Sequence, residues 1–543
     1  MTEIKDNVEE KKGIEDKREE AAKKIIGGGS MLMIFGLLSG LIGWIFNALW
    51  SRSDIGIGPA LYGVVASTVA LNSGIIWISD GFHQAISKYT SAALVSSKSQ
   101  ATKYANAGFF VIFLFGAGIG ILFITISLIC FPINFYLALV FLVTGISLFI
   151  GFIRDSFVGN LSGIQKFNHI AMVQFILVSG VGIGIIGWLF FTPEVAVIII
   201  VTSGMVFGVL IQLFLGFLLF KKNAPYNMNY FHNSSRSDKI EILKYGLYCS
   251  IPMLILHGTI YSIATLYYIF FFGANSDLVG IYGMLTGYAS VMGSAVVFGW
   301  PQVPAISEAK EKNDDEMINH VVKNSFKAGF NFSMFLMTLY VSMAFPMMFM
   351  FHGEEYLIGG IPLMIHALAV VFIGLDFLAC SLLIGIGEGK RAGILILIMT
   401  LFQLISVPII IPVVHSRISL LVGPSTLLII AIVLFPICLR YIFNRTSNEK
   451  RLYTDILWKG GLSAALGVII SWFIQYYLLP AYNSIMIFIL DCAIGLIIFL
   501  IFMLLFGGFD DDDFKFVEGI PLMKYIVNLL KKINNKSPFY KKY

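Results

Sequence analysis

Residues 60–87 read ALYGVVASTVALNSGIIWISDGFHQAIS, and residues 280–307 read GIYGMLTGYASVMGSAVVFGWPQVPAIS. The two stretches align without a gap at an offset of 220 residues, with Tyr-Gly near the start and Ala-Ile-Ser at the end of both. Each follows an apolar stretch and a polar turn, at Ser53-Asp54 and at Ser276-Asp277. Five identities in 28 positions are few, but the matched surroundings indicate an internal duplication at about half the length of the chain.

The composition requires a lipid environment. Of the 543 residues, 57% are hydrophobic and 13% are charged, against about 45–50% and about 25% in soluble domains. An internal duplication in so apolar a chain is typical of transporters made of two similar helix bundles. The five cysteines lie in or at the ends of apolar stretches without metal-ligand spacing. We therefore expect no disulfide framework, no metal site and no cofactor.

Apolar stretches of about 20 residues are long enough to cross the bilayer as helices. The sequence contains fourteen of them, at 25–50, 58–82, 105–131, 134–153, 168–191, 195–220, 245–272, 279–303, 327–351, 357–384, 392–413, 418–439, 457–479 and 483–507. Backbone groups in lipid must be satisfied within their own segment, and the alternation of a membrane barrel is absent. The predicted fold class is an all-α polytopic membrane protein.

Lysine and arginine predict the orientation. With the N-terminus inside, 35 of the 37 basic residues fall on inner segments, and only Arg52 and Arg417 fall on outer ones. This bias predicts cytoplasmic N- and C-termini and an even number of spans. Six spans in each copy make the two lobes parallel, related by an axis along the membrane normal.

The same reading divides the chain into six segments. They are a charged cytoplasmic segment (1–24), an N-lobe (25–220), a cytoplasmic linker (221–244), a C-lobe (245–439), two additional spans (440–507) and a cytoplasmic tail (508–543). Apolar residues in the tail recur at helical spacing opposite lysines, which favours an amphipathic helix on the inner leaflet, with a solubilising tail as the alternative.

Four short motifs carry a resemblance to a known family. They are Arg52-Ser-Asp-Ile-Gly-Ile-Gly-Pro-Ala-Leu-Tyr62-Gly63, the exit of span two from Gly81 to Lys88, the turn Gly385-Ile-Gly-Glu-Gly-Lys-Arg391, and an aspartate-rich tail leading to Gly519-Ile-Pro521. Together they resemble the polysaccharide flippases, a family in the superfamily that also contains multidrug-and-toxin exporters and lipid II flippases. The resemblance implies two six-helix lobes around a central cavity lined by spans one, two, seven and eight. It also implies that a lipid-linked oligosaccharide moves from the inner to the outer leaflet.

The resemblance further implies the partners and the location. These are a lipid-linked glycan, membrane lipids and, as further candidates, glycosyltransferases or a polymerase of the same pathway, in the cell membrane and without nucleic acid. A cation-coupled multidrug exporter of the same fold is the alternative, although residues 25–50 lack the acid that some such exporters place in the first helix. A passive lipid scramblase is a further alternative. A membrane glycosyltransferase or acyltransferase is disfavoured because the outer turns are short, so we expect no enzyme.

Three basic residues are candidates for binding an anionic headgroup. Arg52 closes span one, either to meet a phosphate near the outer end of the path or to anchor the helix at the interface. His83 and Lys88 lie at the inner exit of span two. They are candidates for a site that attracts phosphate from the cytoplasm, and the alternative is ordinary inner-side charge paired with Asp80.

Further candidate site residues lie on the spans that line the cavity in the resembled family. Asn47 and Asn72 in spans one and two are predicted to bind sugar hydroxyls or to join helices. His257 in span seven is placed in the cavity by the resemblance, with a satisfied core histidine as the alternative. Trp300, Pro301 and Pro304 are predicted to form a gate near the inner end of span eight, unless the prolines simply end the helix.

Asp376 is the candidate for coupling transport to a proton or cation. It lies near the middle of span ten, and carboxylates at membrane depth are functional hypotheses by default. The alternative is a structural pair with a hydroxyl group or with His366.

Overall fold

A computed structural model gives the fold. It describes residues 34–36, 38–43, 45–229, 234–257, 263–273, 276–293, 302–311, 313–414, 416–446, 450–477, 484–509, 530–532 and 534–538. All regular secondary structure in these ranges is helical, which confirms the predicted all-α class. The charged segment 1–24 and most of the tail, including the predicted amphipathic helix, lie outside the described residues.

The α-helices follow one another along the described ranges, and a few further helical residues lie at 530–532 and 534–535. In chain order they are α1 (Ile34–Ser51), α2 (Gly58–Ser96), α3 (Lys98–Cys130), α4 (Phe135–Gly163), α5 (Phe167–Phe175), α6 (Val178–Phe190), α7 (Pro193–Thr202), α8 (Gly208–Asn223), α9 (Arg236–His257), α10 (Ile263–Phe272), α11 (Asp277–Gly293), α12 (Gln302–Glu311), α13 (Asp315–Met347), α14 (Gly360–Gly385), α15 (Gly389–Ile410), α16 (Ser416–Ser419), α17 (Val422–Arg445), α18 (Lys450–Tyr477) and α19 (Ile485–Leu505). Short π or 3₁₀ turns extend α7, α13, α14 and α15.

Twelve helical segments within the described residues are long and apolar enough to cross a membrane. Each corresponds to one of the fourteen predicted spans. The remaining two, spans seven and eight, fall on α9 to α12, and each includes residues that the structure does not describe, 258–262 and 294–301. The count of about fourteen is therefore approximate.

Several helices continue past the end of the predicted span. The α2 helix was expected to end at residue 82 and instead ends at Ser96, and α9 begins at Arg236 within the predicted linker. Hydropathy marks where a helix leaves lipid, whereas its end depends on local capping. Here the side chain of Ser97 accepts a hydrogen bond from the backbone N–H of Gln100 and so starts α3 directly after α2.

The duplicated stretches hold equivalent positions. Ile86 of the first copy packs on Gly159 of α4, and Ile306 of the second copy packs on Gly385 of α14. The next residue in each copy bonds to the same neighbouring helix, since Ser87 donates to Ser162 in the first case and Ser307 donates to the Gly385 carbonyl in the second. Spans two and four thus meet as spans eight and ten do, as expected for two related helix bundles.

Candidate functional site

The first and second halves of the chain meet along a seam formed by α2 against α9 and α11. Near the start of α2, Gly280 of α11 lies on the carbonyl of Pro59, and Gly283 lies on Ala66. Further along α2, Gly81 lies on the backbone of Ser250 in α9, and the Ser250 hydroxyl donates to the Ile78 carbonyl at 2.6 Å. Glycine permits this approach because a side chain at these positions would overlap the opposite helix.

Arg52 lies at the predicted outer end of the seam and is fully engaged within the protein. Its guanidinium donates to both carboxylate oxygens of Asp54, at 2.7 and 2.5 Å, and to the Met350 carbonyl of the second half at 3.1 Å. Arg52 lowers the pKa of Asp54, and this hydrogen bond raises the pKa of the guanidinium in return. The arrangement fits a brace across the seam. A role for Arg52 in phosphate binding stays a prediction.

A buried histidine joins the halves beside Arg52. His352 lies 2.8 Å through Nδ1 from the Ser51 hydroxyl and 2.7 Å through Nε2 from the Tyr288 hydroxyl. Because the Ser51 hydroxyl donates to the Ala48 carbonyl, its oxygen is available to accept from Nδ1–H, and neutral Nε2 then accepts from Tyr288. Ser53 also donates to Glu355 at 2.8 Å. We call these contacts of residues 51–54 with 288 and 350–356 the outer latch.

Lys88 lies at the predicted inner end of the seam, together with a lysine that the sequence did not single out. The Nζ atoms of Lys88 in α2 and Lys310 in α12 each lie 3.8 Å from the point that a Cβ on Gly387 would occupy. Lys88 also lies 3.9 Å above the ring of Tyr245, and Lys310 donates to the Ile386 carbonyl. We call Lys88 and Lys310 the inner lysine pair.

His83 turns away from Lys88 into a cavity of about 380 Å³ inside the first half. Charged and amide side chains from four helices line it, namely Asp80 and His83 of α2, Arg154 and Asp155 of α4, Gln174 of α5 and Gln212 of α8. We call this the N-half cavity. His83 and Lys88 thus have different surroundings, and their role in attracting phosphate stays a prediction. A helix turns about 100° per residue, so positions five apart face different directions.

Hydrogen bonds tie most of the N-half cavity together. Arg154 donates to Asp155 at 2.7 Å and to the side-chain oxygen of Gln212 at 2.6 Å, and Ser79 also donates to Asp155. The amide of Gln212 donates to the Gln174 carbonyl at 3.3 Å. His83 Nδ1 lies 3.7 Å from an oxygen of Asp80, which is an ion-pair distance rather than a hydrogen bond.

The predicted asparagines do not join either basic group. Asn47 is half-buried on α1. The side-chain oxygen of Asn72 on α2 is buried and accepts no hydrogen bond from any described residue. Their roles as sugar ligands stay predictions.

Asp376 is buried on α14 at 2% exposure. Neither carboxylate oxygen accepts a hydrogen bond from a described residue. Both ring nitrogens of His366 are likewise unpartnered within the described residues. A structural pair of Asp376 with a hydroxyl group or His366 is not seen within the described residues, and the coupling role stays a prediction.

For the remaining predicted site residues, the whole residue or its side chain lies outside the described part of the chain. Trp300 and Pro301 lie outside the described residues. Pro304 lies in the first turn of α12 and His257 is the last residue of α9, but the side chains of both lie outside the described part. The gate and the cavity histidine therefore stay predictions.

Arg154 and Asp155 are the main residues that sequence reasoning missed. They follow an apolar stretch and are predicted to lie in an inner loop, yet α4 continues to Gly163, buries Asp155 and leaves Arg154 half-buried. A signal was present, because Gln174 and Gln212 place amide groups inside two other apolar stretches. Four polar residues near one membrane depth are a reason to expect a shared polar site.

Several solved structures have the same fold. An inward-facing multidrug resistance MATE family transporter of the MOP superfamily has a TM-score of 0.58 and 17% identity over 77% of this chain and 100% of that chain. A MATE in complex with Br-NRF has a TM-score of 0.57 and 17% identity, covering 78% and 97%. A MOP superfamily transporter from Pyrococcus furiosus, for which reverse polarity of the binding pocket suggests a different function, has a TM-score of 0.55 and 18% identity. The match covers 78% of this chain and 96% of that chain.

These similarities establish the fold of MATE transporters for this chain. They cover the solved chains almost completely, whereas about a fifth of this chain lies outside the match. No protein-family model matches the sequence, and no curated protein matches it.

Proposed function

We propose that the protein is a flippase that moves a lipid-linked oligosaccharide, carried on a polyprenyl phosphate or pyrophosphate, from the inner to the outer leaflet by alternating access of two lobes. The chain would lie in the cell membrane with both termini in the cytoplasm. Its partners would be the lipid-linked glycan, membrane lipids and the glycosyltransferases or polymerase of the same pathway. The MATE fold supports membrane transport, and the polarity of the seam supports this substrate class.

The inner lysine pair carries the proposal. One lysine comes from each half, and within the described residues neither ammonium group has a carboxylate within 4.0 Å. Both ammonium groups lie 3.8 Å from the same point at Gly387. Two positive charges this close repel each other by on the order of 1 kcal/mol near a protein surface. A phosphate or pyrophosphate between them would remove that repulsion and accept hydrogen bonds from both. A cationic drug would add to the repulsion.

The test is translocation of a polyprenyl-pyrophosphate-linked sugar in liposomes that contain the full chain. We expect wild-type protein to exceed empty liposomes, and Lys88→Ala with Lys310→Ala to reduce the rate at least tenfold, as loss of two charged contacts predicts. Lys98→Ala is the matched control, since Lys98 is exposed at the start of α3 away from the seam. It should keep the wild-type rate.

Two outcomes would contradict the proposal. A wild-type rate equal to that of empty liposomes would remove the flippase. Export of a lipophilic cation such as ethidium, unaffected by the two lysine substitutions, would favour the multidrug exporter of the same fold. Asp376→Asn belongs in the same assay, because a proton- or cation-coupling role for Asp376 predicts loss of the response to an imposed ion gradient.

A further inference from the structure

The ammonium group of Lys88 is held by aromatic rings rather than by a polar partner. Its Nζ atom lies 3.9 Å from the centre of the Tyr245 ring in α9 and 5.3 Å from that of Tyr89, both within cation–π range. The two rings meet edge to face at 5.6 Å, so each limits the movement of the other. Within the described residues this ammonium makes no hydrogen bond, which leaves its three N–H donors uncommitted.

The Tyr245 ring is fixed to the turn that follows α14. Its hydroxyl donates to the Ile384 carbonyl at 2.6 Å. Two residues further along the chain, the Ile386 carbonyl accepts a hydrogen bond from Lys310. Tyr245 therefore connects Lys88 of the first half to the same turn of the second half that holds Lys310.

The space beside Gly387 in this turn is open to both lysines. Gly387 has a φ of +86° and no side chain. Among the described residues other than its chain neighbours, only the Nζ atoms of Lys88 and Lys310 lie within 4 Å of the point that its Cβ would occupy. Lys310 uses one donor on the Ile386 carbonyl and Lys88 uses none, so most of the N–H donors remain available for phosphate oxygens.

A ring suits the task of holding Lys88 better than an acid would. An aspartate or glutamate in the place of Tyr245 would also fix the ammonium, but its charge would cancel that of Lys88 and repel a phosphate. The aromatic ring attracts the ammonium through its quadrupole and is itself neutral. Lys88 therefore keeps its full charge for a ligand.

We propose that Tyr245 is a positioning residue of the inner lysine pair, whose ring holds Lys88 beside Lys310 in the arrangement that receives a phosphate or pyrophosphate. The inference rests on the proposed function, because it assigns a further residue to the same anion site. A lysine side chain loses much rotational freedom when it is fixed. A site that fixes it before the ligand arrives binds that ligand more tightly.

Binding of inorganic pyrophosphate to the full chain in nanodiscs, measured by calorimetry, tests the role of the ring. The variants are Tyr245→Phe and the same substitution with difluorinated and pentafluorinated phenylalanine, because fluorine withdraws electron density from the ring face and changes its shape little. We expect the Kd to rise stepwise with fluorination, by about five- to tenfold in all, as loss of a cation–π contact predicts. Tyr245→Leu should bind as weakly as the pentafluorinated variant.

The same three substitutions at Tyr104 are the matched control. The Tyr104 ring stacks on that of Tyr89 at 5.2 Å, and within the described residues no lysine lies over it. Fluorination at Tyr104 should therefore leave the Kd unchanged. A purely structural role of Tyr245 would respond to loss of its hydroxyl in Tyr245→Phe but not to fluorine.

Three results would overturn the inference. They are a Kd that is the same across the fluorinated Tyr245 series, a Kd that falls with fluorine because the ring competes with phosphate for Lys88, and pyrophosphate binding that is no stronger in the wild type than in Lys88→Ala. Flipping that requires both lysines but is unaffected by fluorination would remove this inference alone. Pyrophosphate binding that weakens with fluorination, in a wild type that flips no lipid-linked sugar, would remove the proposed function alone.

Discussion

The two ends of the seam are closed by different chemistry. The outer latch consists of directional hydrogen bonds between turns, with Arg52 on a carbonyl, Ser53 on Glu355, and His352 between two hydroxyls. The inner end brings two ammonium groups together at Gly387, beside hydrogen bonds from Gln165 to Glu308 at 2.8 Å and from Tyr104 to Glu241 at 3.1 Å. The outer end is satisfied by the protein alone, whereas the inner end would gain from an added anion.

This difference has a mechanistic consequence. Alternating access requires that the outer contacts break when the inner contacts form more strongly. An anion bound by Lys88 and Lys310 would supply favourable free energy at the inner end only, because the groups of the outer latch are already paired. Substrate binding and opening of the latch would then be linked through the rigid α2 helix, which reaches both ends.

Covalent closure of the outer latch should have the largest effect. The change is Ser53→Cys with Glu355→Cys, at positions whose side chains are now 2.8 Å apart. After treatment with a short bifunctional thiol reagent, we expect transport to fall at least tenfold, because the lobes could no longer separate on the outer side. The measurement is the transport rate in liposomes before and after a reductant cleaves the cross-link, and cleavage should restore the rate.

The Ser53→Cys variant alone, treated in the same way, reports any effect of the five native cysteines. Transport that continues at the wild-type rate in the cross-linked pair would show that the outer latch does not need to open.

Gly81→Ala should have the next largest effect, because it acts on the seam next to the N-half cavity. A Cβ at this position would overlap main-chain atoms of Ser250, which cannot rotate away. We expect a loss of about 1–3 kcal/mol in unfolding free energy, as for other overpacked contacts, and a weaker contact of α2 with α9. Thermal unfolding in detergent measures the first, and hydrogen exchange in α9 measures the second.

Gly118→Ala is the matched control for this substitution. Gly118 is also within an apolar helix, but nothing lies within 4 Å of its Cβ position. Since alanine favours helix by up to about 1 kcal/mol over glycine, Gly118→Ala should be neutral or stabilising. Equal stability of the two variants would mean that the halves are not in contact at Gly81.

The sequence predicted the helices better than the contacts between them. Hydropathy identified the apolar spans, because lipid selects residues by polarity, and the alignment of residues 60–87 with 280–307 indicated the duplication. It did not show that Lys310 would meet Lys88, because the two lysines are 222 residues apart and do not occupy matched positions in the repeat. It also placed Arg154 in a loop, since a charge after an apolar stretch looks the same whether the helix ends there or continues for another nine residues.

Tyr288→Phe tests the histidine bridge with a smaller change. It removes only the hydroxyl that donates to His352 Nε2, and we expect a loss of about 1 kcal/mol for one hydrogen bond left unmade at a buried site. The outer latch should open more often, so that Ser53→Cys reacts faster with an impermeant thiol reagent. Tyr340→Phe is the control, because its ring lies 5.8 Å from that of Tyr288 without bonding to His352. Similar rates in the two variants would exclude the bridge as a closing contact.

The smallest expected effect is the loss at low pH of the stability that the Arg52–Asp54 pair contributes. Arg52 lowers the pKa of Asp54, so the unfolded chain binds a proton at a higher pH than the folded chain does. The pair therefore contributes its stability fully above the ordinary carboxylate pKa of about 3.9 and loses it as the pH falls through the lowered value. Asp54 is exposed, so the contribution is small.

Melting temperatures of the wild type and Asp54→Asn should consequently run in parallel from about pH 7 to about pH 5 and converge only below about pH 4. Curves that stay parallel below about pH 4 would show that the difference between the two proteins does not come from the charge of Asp54. The outer latch would then depend on its uncharged contacts, the bridge of His352 between Ser51 and Tyr288 and the bond of Arg52 to the Met350 carbonyl.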